Sequence, residues 1–73
     1  MNKLGIVLHV SGSRRLILRT KIRVRTGTEV LDEDLRPIGR TCDIFGPVKN
    51  PYVSVKPTVN KPESYVGHSI YTT

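Results

Sequence analysis

An all-β fold closed into a small antiparallel barrel is what this sequence predicts, on three observations. Apolar residues recur at period two and not at helical spacing. Turn signals separate these runs at short intervals, leaving five or six short strands. An open sheet of such strands would expose pairing edges that closure removes. The 73 residues allow one domain with a marginal core, because a chain of this size buries only about 60% of its unfolded surface. Val, Ile and Leu are spread throughout the chain, which argues against disorder.

Leu4, Ile6, Leu8 and Val10 share one face opposite Lys3, Gly5, Val7 and His9, predicting a half-buried first strand with His9 on its polar side. Ser11-Gly12-Ser13 is turn chemistry, and Leu16-Ile17-Leu18 begins a second strand. Alternation then continues, with Leu18, Thr20, Ile22, Val24 and Thr26 on one face and Arg19, Lys21, Arg23 and Arg25 on the other. Gly27 interrupts it, Glu29-Val30-Leu31 is a short third strand, and Asp32-Glu33-Asp34 is an acidic turn. Arg36 to Phe45 reads as the next strand, with Ile38 and either Cys42 or Ile44 as core candidates and Gly39 marking a bulge or bend. Gly46 to Pro51 is a loop stiffened by proline at both ends, and Tyr52 to Lys56 is a strand halted by Pro57. A barrel domain over residues 1–57 is therefore expected. Residues 58–73 form a polar C-terminal tail with Val59, Tyr65, Val66, Ile70 and Tyr71 as apolar anchors, packed on the barrel or ordered by a partner.

Several function classes are excluded or disfavoured. No apolar run is long enough for a membrane span. A single cysteine cannot form an intrachain disulfide, and a secreted domain this small normally needs several, so an intracellular protein is expected. His9, Cys42 and His68 stand alone, without metal-ligand spacing, and no glycine-rich phosphate cradle is present. Neither catalysis nor a cofactor is expected. Cys42 reads as a buried, inert thiol, and Asp43 as a partner for an arginine such as Arg40 or a strand terminus.

Charge is unevenly distributed. Twelve Lys and Arg against six Asp and Glu leave a net charge of +6, and residues 1–26 contain no acid at all. Arg14, Arg15, Arg19, Lys21, Arg23 and Arg25 form a basic stripe that suits phosphate contact. The same stripe also suits a solvated strand face whose long side chains cover apolar surface. One Phe, three Tyr and no Trp give few platforms for base stacking, which disfavours tight RNA reading.

The segment from Arg36 to Lys56 is the most specific in the chain. Ile38-Gly39, Asp43-Ile44-Phe45-Gly46-Pro47-Val48, Pro51-Tyr52 and Val55-Lys56 closely resemble the core of the Gar-one family, the glycine-arginine-rich proteins of box H/ACA ribonucleoproteins. Gly5 to Ser11 and Gly27 to Asp32 are similar as well, so the resemblance covers nearly all of residues 4–57. The arginine-glycine tails of eukaryotic members do not flank this core, as expected of an archaeal member, cytoplasmic in its cell. The paralogous Naf-one assembly factor shares part of the core but has long flanking regions that this sequence lacks.

The resemblance implies a six-stranded barrel of the translation-factor second-domain type. It also implies a non-catalytic subunit that docks on the catalytic domain of a dyskerin-type pseudouridine synthase, promotes substrate loading and product release in rRNA modification, and meets the guide RNA mostly indirectly. The docking residues it points to are Ile38, Ile44, Gly46, Pro47, Val48, Pro51 and Tyr52. The physical reading agrees in part. A loop held by Pro47 and Pro51 loses little entropy on docking, and Val48 is a preorganised apolar contact, whereas Phe45 reads as core. Without its partner, such a patch favours self-association. The chain departs from the family at Arg19 to Arg25, where relatives carry proline-containing loops, so the path of residues 19–27 is left open. An autonomous RNA-binding barrel using the basic stripe is the competing expectation.

Overall fold

Six antiparallel strands close on themselves in the computed structural model, which describes residues 2–72. They are β1 (Asn2–Val10), β2 (Leu16–Arg19), β3 (Glu29–Leu31), β4 (Pro37–Phe45), β5 (Tyr52–Pro57) and β6 (Ser69–Thr72). The order around the barrel is β1-β2-β5-β4-β3-β6, with β6 returning to β1. The one helical element among the described residues is a single 3-10 turn, Pro62–Tyr65. The all-β barrel expected from period-two patterning is the fold observed.

The C-terminal segment corrects the expected domain boundary. Residues 58–72 are no appendage, because Ser69–Thr72 is the strand that pairs with both β1 and β3 and closes the barrel. Ile70 is fully buried in the core and Thr72 is nearly so. The reason is physical: β1 and β3 would otherwise each present an unpaired edge. Four apolar-poor residues sufficed for that strand, so composition alone read the segment as tail.

The first strand also differs from its expected facing. Leu4 and Val7 are buried, while Ile6 and Leu8 are about half exposed. Two register shifts explain this, one between Lys3 and Gly5 against β6 and one between Val7 and His9 against β2. Each bulge inserts one residue and resets the in-out parity, so Leu4, Val7 and the partly buried Val10 point inward at intervals of three. His9 is exposed as expected.

The core gathers Leu4, Val7, Leu16, Leu18, Val30, Ile38, Val53, Val55 and Ile70, with Val10, Ile22, Val24, Val59 and Tyr65 packed against it. Gly39 is the close-approach point between β4 and β5, where a Cβ would overlap the carbonyl oxygen of Lys56.

The second strand stops at Arg19, short of the expected continuation to Thr26. Arg19 pairs with Tyr52, and the preceding residue on β5's side is Pro51, which has no N–H to extend the ladder. Residues 20–26 run on without a strand partner, bending at Lys21-Ile22 and turning at Thr26-Gly27, with Ile22 and Val24 still packed against the core. Their path is fixed at both ends. The Thr20 amide donates to the Pro51 carbonyl at 3.0 Å. Further along, the Thr41 hydroxyl donates to the Arg25 carbonyl at 2.5 Å and accepts from the Thr28 amide at 3.0 Å.

At the other end of β4, Asp32 organises the acidic hairpin. Its Oδ1 accepts from the amides of Asp34 and Arg36 at 2.8 and 2.9 Å, and Tyr65 Oη donates to its Oδ2 at 3.2 Å. Burial, and then the neighbouring Asp32 carboxylate, raise the Tyr65 phenol above its ordinary pKa; Arg36 opposes this. A second link from the C-terminal segment joins His68 Nδ1 to Glu33 Oε1 at 2.9 Å. The hairpin and the approach to β6 are thus tied together by side chains.

Candidate docking surface

Three adjacent strands present an outward row at one end of the barrel. In register across β2, β5 and β4 stand Arg19, Tyr52 and Phe45. Arg19 Nη2 donates to Tyr52 Oη at 2.6 Å, and its guanidinium carbon lies 4.9 Å from the ring centroid. The Phe45 and Tyr52 rings stack with centroids 5.7 Å apart and planes 21° from parallel. Gly46 adopts φ +90° directly beside this stack, where a Cβ would meet Tyr52 Cδ2 at 2.9 Å. Only glycine combines that backbone with that proximity.

Phe45 therefore corrects the expectation that it belongs to the core, being 46% exposed. The register shift between Thr41 and Asp43 puts an extra residue, Cys42, into β4 and turns its last residues outward. Ile38 takes its place as a core candidate and loses the docking role that the resemblance implied. At 1% exposure it is a core residue, inaccessible to any docking partner. Ile44, Gly46, Pro47 and Val48 are exposed, and Pro51 and Tyr52 partly so. Val48, at the loop tip, is 97% exposed. Ile44, Val48, Lys49 and Pro51 line one wall of a cleft of about 570 Å³, whose other wall is Lys21 to Arg25.

The basic stripe is divided. Arg14 and Arg15 precede β2 and, with Lys56, line a separate concavity near Asn60 and Pro62. Arg19, Lys21, Arg23 and Arg25 lie at or beyond the other end of β2, and Lys49 joins them across the cleft. The break follows from the strand between them, which points Leu16 and Leu18 inward. Arg15 is partly neutralised, since its Nη1 donates to Asp43 Oδ2 at 3.3 Å and also reaches Cys42 Sγ. Arg15 thus takes the role expected of Arg40, whose Nη1 donates to the Gly27 carbonyl at 3.0 Å. Cys42 is half-buried, because its bulge keeps it out of the core it was expected to enter. Among the described residues, no ion pair involves Lys21, Arg23, Arg25 or Lys49.

Sequence reasoning placed Phe45 in the core instead of beside Tyr52 on the surface, and missed Lys49 as a cation lining the cleft opposite Arg23. It also missed Ile6 and Leu8 as exposed apolar residues. The fixed pairing of Phe45 with Tyr52 was inferable from the short loop joining β4 to β5; the bulges that expose Ile6 and Leu8 leave no such signal.

Among the described residues no group of His, Cys, Asp and Glu side chains is arranged to hold a metal ion. No helix among the described residues is long and apolar enough to cross a membrane. Fold and surface together define a small closed antiparallel β-barrel with an apolar, base-rimmed end. No family model matches the chain. An uncharacterized protein of Methanothermobacter thermautotrophicus is 41% identical over 75 residues, which cover 97% of this chain and 82% of that protein. An uncharacterized protein of Methanocaldococcus jannaschii is 38% identical over 55 residues, covering 75% of this chain and 65% of its own length. The chain belongs to the family of small archaeal proteins that the Methanothermobacter protein represents.

Proposed function

We propose that the chain is a non-catalytic accessory subunit of the box H/ACA pseudouridylation particle that docks on the catalytic domain of a dyskerin-type synthase. The observation that carries this reading is Val48, an aliphatic side chain 97% exposed at the tip of a proline-bounded loop. Beside it stand Ile44 and Phe45, 40% and 46% exposed, and the partly buried Tyr52. Tyrosine is among the residue types that most often anchor protein interfaces, and apolar neighbours around such an anchor exclude water from it. The resemblance of Asp43 to Tyr52 to the Gar-one core supports the choice of partner.

A subunit of this kind alters rate only through different affinities for two states of the enzyme. Its loss therefore slows multiple-turnover modification far more than it changes which uridine is modified. Co-elution of the purified chain with the synthase tests the reading, and pseudouridine formation by the chain alone contradicts it.

A second reading rests on the cations around the same cleft. Lys21, Arg23, Arg25 and Lys49 line it with no acid among them, which favours phosphate contact. Without stacking platforms in the cleft, RNA binding by the isolated chain is weak and falls steeply with salt. With four contacts to a single strand, the logarithm of affinity falls by about 3 per tenfold rise in salt. Tight, sequence-selective binding that persists at high salt makes this the primary function instead.

A further inference from the structure

We infer that the docking surface extends across Arg19 onto the outer face of β1, where Ile6 and Leu8 form a second apolar anchor for an acid-flanked apolar patch on the same protein partner. This rests on the accessory-subunit reading above. Ile6 and Leu8 are 46% and 51% exposed. They share a groove of about 470 Å³ with Lys3, Arg19, Lys21 and Ile22. Among the described residues three cations and no carboxylate line it, so the complementary surface carries an apolar side chain between acids.

Continuity with the Val48 cleft is direct. Lys21 and Ile22 line both concavities, one on each side, and Arg19 carries the surface on to Tyr52 and Phe45. Area requires some such extension. A stable complex buries about 800 Å² on each partner, roughly one-sixth of the 4824 Å² that this chain exposes. The loop from Gly46 to Pro51 holds fewer than one-tenth of the residues. Of the remaining exposed large apolar residues, Leu35 lies in the acidic hairpin at the far end of β4 and Val66 follows the 3-10 turn.

Other occupants fit less well. β1 is paired on both sides, so no partner strand can be added to it. A two-fold contact with a second copy sets Lys3, Arg19 and Lys21 against the same cations. RNA finds an aliphatic floor with no aromatic ring on which to stack.

The test compares docking of wild type, Leu8→Glu, Lys3→Glu and Val48→Asp on the dyskerin-type synthase, with thermal melting of each free variant. Lys3 is exposed and lines the β1 groove but not the Val48 cleft, so Lys3→Glu reads the extension even if Leu8→Glu unfolds. We expect Leu8→Glu to weaken docking at least tenfold and Lys3→Glu several-fold, the latter with a reduced salt dependence. Docking of Lys3→Glu, and of Leu8→Glu where it folds, within twofold of wild type, while Val48→Asp fails to dock, overturns the extension and leaves the accessory-subunit reading intact. A wild-type chain that does not dock overturns both. If Leu8→Glu abolishes a monomer–dimer equilibrium in sedimentation but leaves docking unchanged, the groove belongs to a second copy and the inference fails.

Discussion

Arg19 and Tyr52 face each other across β2 and β5 and are joined twice, by a 2.6 Å hydrogen bond from Nη2 to Oη and by a guanidinium 4.9 Å from the ring centre. Phe45 on β4 stacks with the same ring, and the Gly46 backbone lies close to its Cδ2 edge. At an exposed site each contact contributes little to stability, about 0.5–1 kcal/mol for the cation–π pair. Their effect is to order an aromatic side chain in advance, which lowers the entropy lost when a partner covers it.

Gly46 is where that ordering constrains the backbone. Gly46→Ala is expected to destabilise the chain by about 1–3 kcal/mol, because it combines a left-handed φ with contact against Tyr52. Urea titration of Gly46→Ala, Tyr52→Ala and the double variant separates the two causes. In the double variant the ring is gone and only the backbone cost remains, so the changes should not add. Full additivity means that the ring does not press on residue 46.

Alkaline pH reads the Tyr65–Asp32 contact. Burial beside a carboxylate raises the folded-state phenol pKa above its ordinary value of 10.0, so the native state holds the proton longer than the unfolded chain. The stability this contributes is present below about pH 10 and is lost as pH rises through the folded-state pKa. Tyr65→Phe lacks the bond to Asp32 and should lose about 1 kcal/mol at neutral pH. Its melting temperature should then approach that of wild type above pH 10, and parallel curves across that range contradict the assignment.

The C-terminal strand is expected to be indispensable. Ile70 is fully buried where β6 meets β1, so Ile70→Ala should cost about 2–5 kcal/mol. For a domain of this size that is a large share of the total. A chain ending at residue 57 should show no cooperative melting, since β1 and β3 lose their shared neighbour. Cooperative unfolding of that truncation shows that the first five strands suffice.

Much of the barrel was legible because alternation survives wherever a strand runs without interruption. Leu16 and Leu18 in β2, and Val53 and Val55 in β5, are buried as period two requires. Alternation misled where a bulge intervened, at β1 and at the end of β4, because one inserted residue turns every following side chain to the other face. That reversal exposed Ile6, Leu8 and Phe45. The loop with Val48 was legible for another reason. Proline at both ends and no inward partner leave an aliphatic side chain in water whatever the surrounding registers. Ile38 was legible as core from the strand pattern; its docking role came only from the resemblance, and its place on β4 points it inward.

Docking on the synthase after substitution of Val48 tests the central claim most directly. In the free chain a carboxylate at position 48 stays in water, so Val48→Asp should melt like wild type. In the complex the same carboxylate is buried without a partner, at a cost of several kcal/mol. Each ~1.4 kcal/mol is a tenfold change, so affinity should fall a thousandfold or more. Arg14→Glu, in the separate concavity by Asn60, is the control and should dock normally. Co-elution of folded Val48→Asp with the synthase at wild-type affinity, together with loss of docking in Arg14→Glu, would place the interface at the other end of β2 and contradict the account.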